Sequence, residues 1–361
     1  MGTARALVLE GPRNLSVRDL PLPDVRDDDA IVRVEACGLC GTDHEQYTGV
    51  LPMPGAFIPG HETVGIIETV GPRAAQRWGV NAGDRVAVEV FQRCGDCDEC
   101  RAGEYRRCQR HGLADCYGLI GIDRPPGLWG GYATHQYLGP DSVLHRVPDG
   151  LDPVLATVFN PLGAGVRWAA TVPGTSEGDV VAVLGPGIRG ISSVVAAKEA
   201  GARFVLVTGT DRDAQRLAIA RDFGADLTVD VTQQDPSRAL KDATGGLADV
   251  VVDVTAKAPQ AFLQALSLAR PAGTVVVAGT RGAEVTGFGP DVIVYKELRI
   301  IGALGVDAPA YARALEILVS GKYAFADLPR RVVGFNDLEE LIVQMAGEGA
   351  GDPPVHGVLA P

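Results

Sequence analysis

VVAVLGPGIRGISSVVAAKEAGA, residues 180–202, joins a run of aliphatic residues to a helical pattern through three glycines, Gly185, Gly187 and Gly190. The G-x-G-x-x-G spacing alone is weak. Its place is what carries weight: it follows a predicted strand and opens a predicted helix, as phosphate binding requires. Gly185 permits the tight turn, Gly187 lets backbone approach a pyrophosphate, and Gly190 lets helix and strand pack closely. Ile188 and Arg189 fill the helix's first turn, where free N–H groups face an anion. The stretch therefore reads as a dinucleotide loop and not as a plain structural turn. The next strand, RFVLVTG, should end beside the adenosine ribose. An acid about 20 positions after the glycines would bind both ribose hydroxyls. Counted without gaps, that place is Gly209. Asp211 takes the role if the loop is two residues longer, and Arg212 would instead meet a 2′-phosphate. NAD and NADP both stay open.

Around this loop, VVAVL, FVLVTG, DVVVDVTA and TVVVAG are nearly continuous in Val and Ala. The helical segments ISSVVAAKEAG, DAQRLAIARDFGA and APQAFLQALSLAR separate them. Such alternation predicts a doubly wound parallel sheet covered on both faces, an α/β domain over 156–302. Residues 1–155 differ. Short β-rich runs (ALVL, AIVRVEA, ETVGIIETV, RVAVEV) alternate with Gly, Pro and Asp turns, which predicts a mainly-β domain with few helices. Over 303–361 a helix (YARALEILVSG), a short strand (RRVVGF), a second helix (DLEELIVQMAG) and a closing strand are expected. DVIVYKELRIIGAL, near the end of the α/β stretch, contains an apolar edge-like strand, which proteins usually pair or cover.

Seven cysteines, four of them within 94–108, mark metal chemistry. Thiols spaced as Cys94, Cys97, Cys100 and Cys108 can complete a closed tetrahedral zinc shell. A second group, Cys40-Gly41-Thr42-Asp43 with Gly60-His61-Glu62, offers a thiolate, an imidazole and a carboxylate. That set leaves a coordination position open, as a Lewis-acid zinc needs. Cys37 and Cys116 read as small buried residues. Polar Glu89 and Asn160 hint at a hydroxylated substrate, whereas Phe91, Trp129 and Trp168 lie near segments that could line a cleft, although core packing explains each.

The 361 residues suit two domains, and 46% hydrophobic with 22% charged residues is ordinary for a globular chain. A net charge of −12 argues against nucleic acid as partner, and Asp96, Asp98 and Glu99 argue against a zinc-ribbon nucleic-acid binder. No apolar run reaches the roughly 18 residues of a membrane span, and no secretory signal opens the chain. A cytoplasmic protein is expected.

With these motifs assembled (CGLCGTD at 37–43, GHETVGIIETVG at 60–71, GDRV at 83–86, the four-cysteine lobe and GPGIRG at 185–190), the sequence resembles the zinc-dependent medium-chain alcohol dehydrogenase family over essentially its whole length. The resemblance implies a GroES-like catalytic domain at 1–155, completed by 303–361, and a Rossmann domain at 156–302 with the active cleft between them. It implies two zinc ions per chain. Cys40 and His61 match catalytic zinc ligands, Glu62 a carboxylate on or just behind the metal, and Thr42 the hydroxyl that takes the substrate proton. Members often place a relay His five residues after the ligand cysteine. Here Glu45 stands there, with His44 just before it. The remaining ligand, usually Cys, Asp or Glu, is Asn160 in VFNPLGAGVRW. The implied activity is hydride transfer between a secondary alcohol, polyol or sugar-like substrate and NAD or NADP, in a homodimer or homotetramer. Rival readings are a zinc-free quinone or enone reductase of the same superfamily and a non-catalytic zinc-lobed binding protein.

Overall fold

The computed structural model describes residues 2–53, 55–349 and 351–361. The chain divides into two compact units, residues 1–160 with 307–361, and residues 161–306.

The second unit is built on a six-stranded parallel sheet. Its spatial order is Leu227–Asp230, Phe204–Gly209, Val180–Leu184, Ala248–Asp253, Ala269–Val277 and Arg299–Gly302. In chain order this is 3-2-1-4-5-6, the doubly wound Rossmann arrangement. Its order reverses between Val180–Leu184 and Ala248–Asp253, where a crevice opens at the strands' carboxyl ends. Every residue of Val180–Leu184 is buried. Val180, Ala182 and Leu184 pack with Ala265 and Leu266 of the helix Pro259–Leu268. On the other face the helix Ile188–Glu199 lies so close that a Cβ on Gly190 would stand 1.8 Å from the Gly185 carbonyl oxygen. Gly185 itself has φ +100°, a conformation side chains resist. Each fully buried Val or Leu of this sheet contributes roughly 1.5–3 kcal/mol.

The stretch DVIVYKELRIIGAL splits in two. Asp291–Tyr295 is a short helix behind Pro290, with Val294 and Tyr295 largely exposed. Pro290 and the first-turn Asp291 suit a helix start, which overrides the β-branched composition. Only Arg299–Gly302 is a strand, and it forms one edge of the sheet.

The first unit holds a two-stranded sheet, Thr3–Gly11 with Asn14–Pro21, and a seven-stranded mixed sheet. The latter runs Arg330–Val333, His356–Leu359, Ala30–Leu39, Glu62–Val70, Arg85–Val88 and Leu144–Arg146, with His135–Leu138 also paired to Ala30–Leu39. The closing segment thus enters the sheet of the opening one. Leu338, Leu341 and Leu359 share a core with Leu7, Leu39, Tyr47 and Tyr132. Short helices interrupt the β pattern, the longer ones of residues 2–155 being Gly41–Thr48 and Pro72–Trp78. The first, GTDHEQYT, carries no apolar periodicity, and it is capped at Cys40 and anchored by buried Tyr47.

His356 is fully buried in this sheet. Arg330 Nε donates to its Nδ1 at 2.9 Å, so the ring proton sits on Nε2, 3.3 Å from Thr157 Oγ1. Burial first, and then the Arg330 charge, lower its pKa to about 3. An unfolded histidine titrates near about 6.5. Between these values the unfolded chain binds a proton that the folded chain refuses, so stability is full above that window and falls as pH drops through it. The slope contributed is at most about 1.4 kcal/mol per pH unit. His356→Gln should flatten the pH dependence of the urea midpoint between about pH 6.5 and 4. Equal slopes in both proteins would refute this assignment.

Candidate functional site

Strand register brings the first metal group together. Gly38 pairs with Glu62 and Cys37 with Thr63 in the antiparallel ladder. Continued past the strand ends, that register sets Cys40 beside Gly60 and His61. The Cys40 sulfur lies 3.2 Å from His61 Nε2. The ligand atoms of Cys40, His61 and Glu62 fall within 4.8 Å of one another, and all three residues are buried. Glu62 is held against bare backbone: a Cβ on Gly38 would stand 2.3 Å from Glu62 Oε2. Cys40 is also the N-cap of the helix Gly41–Thr48, and its N–H donates to Asp43 Oδ2 at 2.8 Å. Motif spacing assigns Asp43 no role, although a carboxylate three residues after a cap is a recognisable signal. Buried His61 Nδ1 has no hydrogen-bond partner among the described residues. Metal-bound histidines commonly donate from that second nitrogen.

The neighbours on this helix divide. Thr42, its second residue, is half-buried. His44 is buried, and its Nε2 lies 2.9 Å from Oε1 of Glu348, a carboxylate that also pairs with Arg13. Glu45 is half-buried, and its carbonyl accepts from Leu51 N–H at 3.0 Å. Cys37 is fully buried, and burial pushes its thiol well above the ordinary range, unlike a redox-active cysteine. Asn160 is buried, and its Nδ2 donates to the Tyr311 hydroxyl at 3.2 Å. Glu89 is taken up inside the fold. It is fully buried, with Tyr105 donating to one carboxylate oxygen at 2.6 Å and His145 Nε2 to the other at 2.7 Å. Phe91, Trp129 and Trp168 are core residues, and both indole N–H groups donate to backbone carbonyls.

Cys94, Cys97, Cys100 and Cys108 form the second group, their sulfurs within 4.8 Å of one another and none in a disulfide. The Cys94 and Cys100 sulfurs are 3.8 Å apart. A tetrahedron with metal–sulfur bonds of about 2.3 Å has edges of about 3.8 Å, so the lobe has the dimensions of a zinc shell. Its thiols are unequal. Hydrogen bonds from the Gln109 and Cys100 N–H groups lower the Cys97 pKa. Burial works to raise Cys108, but backbone N–H groups outweigh it and bring the thiol down to about 6. Cys94 is pushed up to about 12, chiefly through its hydrogen bond with Asp96. Four adjacent thiolates repel, and a divalent cation removes that conflict.

The glycine loop stands at the switch point. Gly187 caps the helix Ile188–Glu199 without a side-chain hydrogen bond, so backbone N–H groups at Ile188, Arg189 and Gly190 remain for an anion. A Cβ on Gly185 would lie 3.1 Å from Thr255 Cγ2, so the loop packs tightly on the segment after Ala248–Asp253. Arg189 lies over the Trp168 ring at 5.4 Å. Gly209 ends its strand, and Asp211 and Arg212 come next after Thr210, both exposed.

A family model for the alcohol dehydrogenase GroES-like domain matches residues 26–149, and one for zinc-binding dehydrogenase matches residues 190–320. The chain is 68% identical over 360 residues to a probable alcohol dehydrogenase of Mycobacterium tuberculosis, covering 99% of this chain and 98% of that one. It is 32% identical over 310 residues to the erythritol/L-threitol dehydrogenase of Mycolicibacterium smegmatis, covering 83% and 82%. A solved zinc-binding dehydrogenase from Sinorhizobium meliloti, bound to NADP, matches 100% of both chains with a TM-score of 0.84 at 27% identity. Four sulfurs at zinc spacing, a cysteine–histidine–carboxylate group and a glycine loop at a switch point thus occur in a chain that belongs to the zinc-dependent medium-chain dehydrogenase/reductase family.

Proposed function

We propose that the protein exchanges hydride between a secondary alcohol, polyol or sugar-like substrate and NAD or NADP, with Cys40, His61, Glu62 and Asn160 around a catalytic zinc. The observation that carries this reading is the 3.2 Å approach of the Cys40 sulfur to His61 Nε2, with a Glu62 carboxylate oxygen within 4.8 Å. Zinc bound there supplies a Lewis acid for the alcohol or carbonyl oxygen, while the nicotinamide carries the redox chemistry.

The chain's residues divide the remaining work. Thr42 takes the substrate hydroxyl proton. His44 or Glu45 passes it on, His44 by way of its contact with exposed Glu348. Tyr311 takes up the Asn160 amide nitrogen, which leaves Oδ1 as the atom offered to the metal. Cys94, Cys97, Cys100 and Cys108 hold a structural zinc. Gly185, Gly187, Ile188, Arg189 and Gly190 hold the pyrophosphate, and the loop of Gly209, Asp211 and Arg212 meets the ribose. The erythritol/L-threitol dehydrogenase relative supports a polyol-like substrate. Clustered thiols that must stay reduced favour the cytoplasm.

Elemental analysis should give two zinc ions per chain. Cys40→Ser should lose one of them and lower turnover by roughly a thousandfold, the several kcal/mol a Lewis-acid metal supplies, while dinucleotide binding persists. Cys97→Ser should lose the other and lower the melting temperature. Full activity with one zinc or none would return the chain to the zinc-free reductases, and a two-zinc protein inert toward alcohols and carbonyls would make it a binding protein.

Asn160→Asp sets a negative charge beside the metal. Zinc should be held more tightly against chelators, and the pH–rate profile should move to higher pH. If chelator sensitivity and profile both stay as in the wild type, Asn160 is only a helix residue bonded to Tyr311.

The oligomer proposed is a homodimer or homotetramer, supported by the edge strand Arg299–Gly302 and the exposed Val294, Tyr295, Ile300 and Leu304. Sedimentation at micromolar concentration should show no monomer. A clean monomer that becomes no larger on concentration would sink this assignment.

A further inference from the structure

We infer that the protein takes NADP(H) in preference to NAD(H), with Arg212 as the residue that selects the 2′-phosphate. This rests on the dinucleotide reading above and sharpens it. The strand Phe204–Gly209 lies directly beside Val180–Leu184 and parallel to it, with Thr208 opposite Leu184. The Gly185 N–H donates to the Thr208 carbonyl at 3.1 Å, so the strand's end and the glycine loop are locked together. The residues just beyond Thr208 therefore face the adenosine ribose of a dinucleotide seated on the loop.

An NAD-selective site needs a carboxylate at that strand end. Gly209 supplies none, and its surroundings leave little room for one. A Cβ there would stand 3.0 Å from Asp213 Cβ, 3.1 Å from Pro186 Cγ and 3.2 Å from Leu217 Cδ2. Pro186 belongs to the glycine loop, so yielding space would shift the pyrophosphate cradle.

Of the next two acids, Asp213 is occupied within its own turn. Asp213 Oδ2 accepts from both the Thr210 N–H and the Thr210 hydroxyl, each at 2.9 Å, which closes the turn. Arg216 lies 3.9 Å from the other oxygen of that carboxylate. Asp211 is exposed at the start of the short turn Asp211–Asp213. Arg212, also exposed, has no ion-pair partner among the described residues. A strand end without a carboxylate does not repel a 2′-phosphate, and a planar guanidinium three residues beyond it can bind one through two parallel hydrogen bonds.

Fluorescence titration of the zinc-loaded protein with NADPH and with NADH tests this without any turnover. NADPH should bind at least about tenfold more tightly. Arg212→Ala should weaken NADPH by about tenfold or more and leave NADH within about twofold. 2′,5′-ADP should displace NADPH better than 5′-AMP does, and that advantage should vanish in Arg212→Ala. Tighter NADH binding that Asp211→Asn abolishes would overturn the inference and make Asp211 the ribose acid, with the dehydrogenase reading intact. Failure of both nucleotides to bind the wild type would overturn the dinucleotide reading itself.

Discussion

One antiparallel register governs the metal chemistry of the first unit. The pairing of Gly38 with Glu62 leaves Cys40 just beyond one strand and His61 just before the other. A slip of one residue would send every side chain of a strand to the opposite face. Glu62 would then lose the bare backbone of Gly38 against which its carboxylate lies. The helix cap at Cys40 depends on the same pairing, because the strand's end fixes where the chain turns. Ligand geometry is thus set by backbone hydrogen bonds, which hold position better than a mobile loop would.

The two metal groups differ in how their ligands are prepared. Cys94, Cys97, Cys100 and Cys108 come from one short lobe whose backbone N–H groups favour thiolate at Cys97 and Cys108. Charge accumulates there with little fold around it, so a cation and the lobe's shape are interdependent. Cys40, His61 and Glu62 instead sit on a sheet that exists for other reasons, with Leu39, Phe57 and Tyr132 in the adjoining core. A metal on such a scaffold can leave without taking the fold with it.

Much of this was legible in the sequence wherever the cause was local. Gly185 and Gly190 are dictated by their own turn, and the four-cysteine spacing already describes a chelate. The helix Gly41–Thr48 was hidden because GTDHEQYT has no apolar stripe, and its Cys40–Asp43 cap and buried Tyr47 show only in the fold. Asp291–Tyr295 reads as strand-like from its valines and isoleucine, but its start signals decide otherwise. Contacts across long separations leave no local trace in a sequence. Asn160 with Tyr311, His44 with Glu348, and Glu89 between Tyr105 and His145 all require the folded chain. Glu89 and Asn160 look alike as polar residues in apolar surroundings, and only their partners distinguish them.

The first unit is made of two stretches of chain separated by the whole of the second, and Gly357 pairs with Leu39 across that gap. During synthesis the inner unit, continuous from 161 to 306, can close while the outer one still lacks a strand. Until His356–Leu359 emerges, one edge of Ala30–Leu39 has open backbone groups beside Cys40. That unpaired interval falls at the strand next to Cys40. A chaperone or early metal capture would matter most there, and residues far from any ligand, such as Val358, bear on whether that site is ever completed.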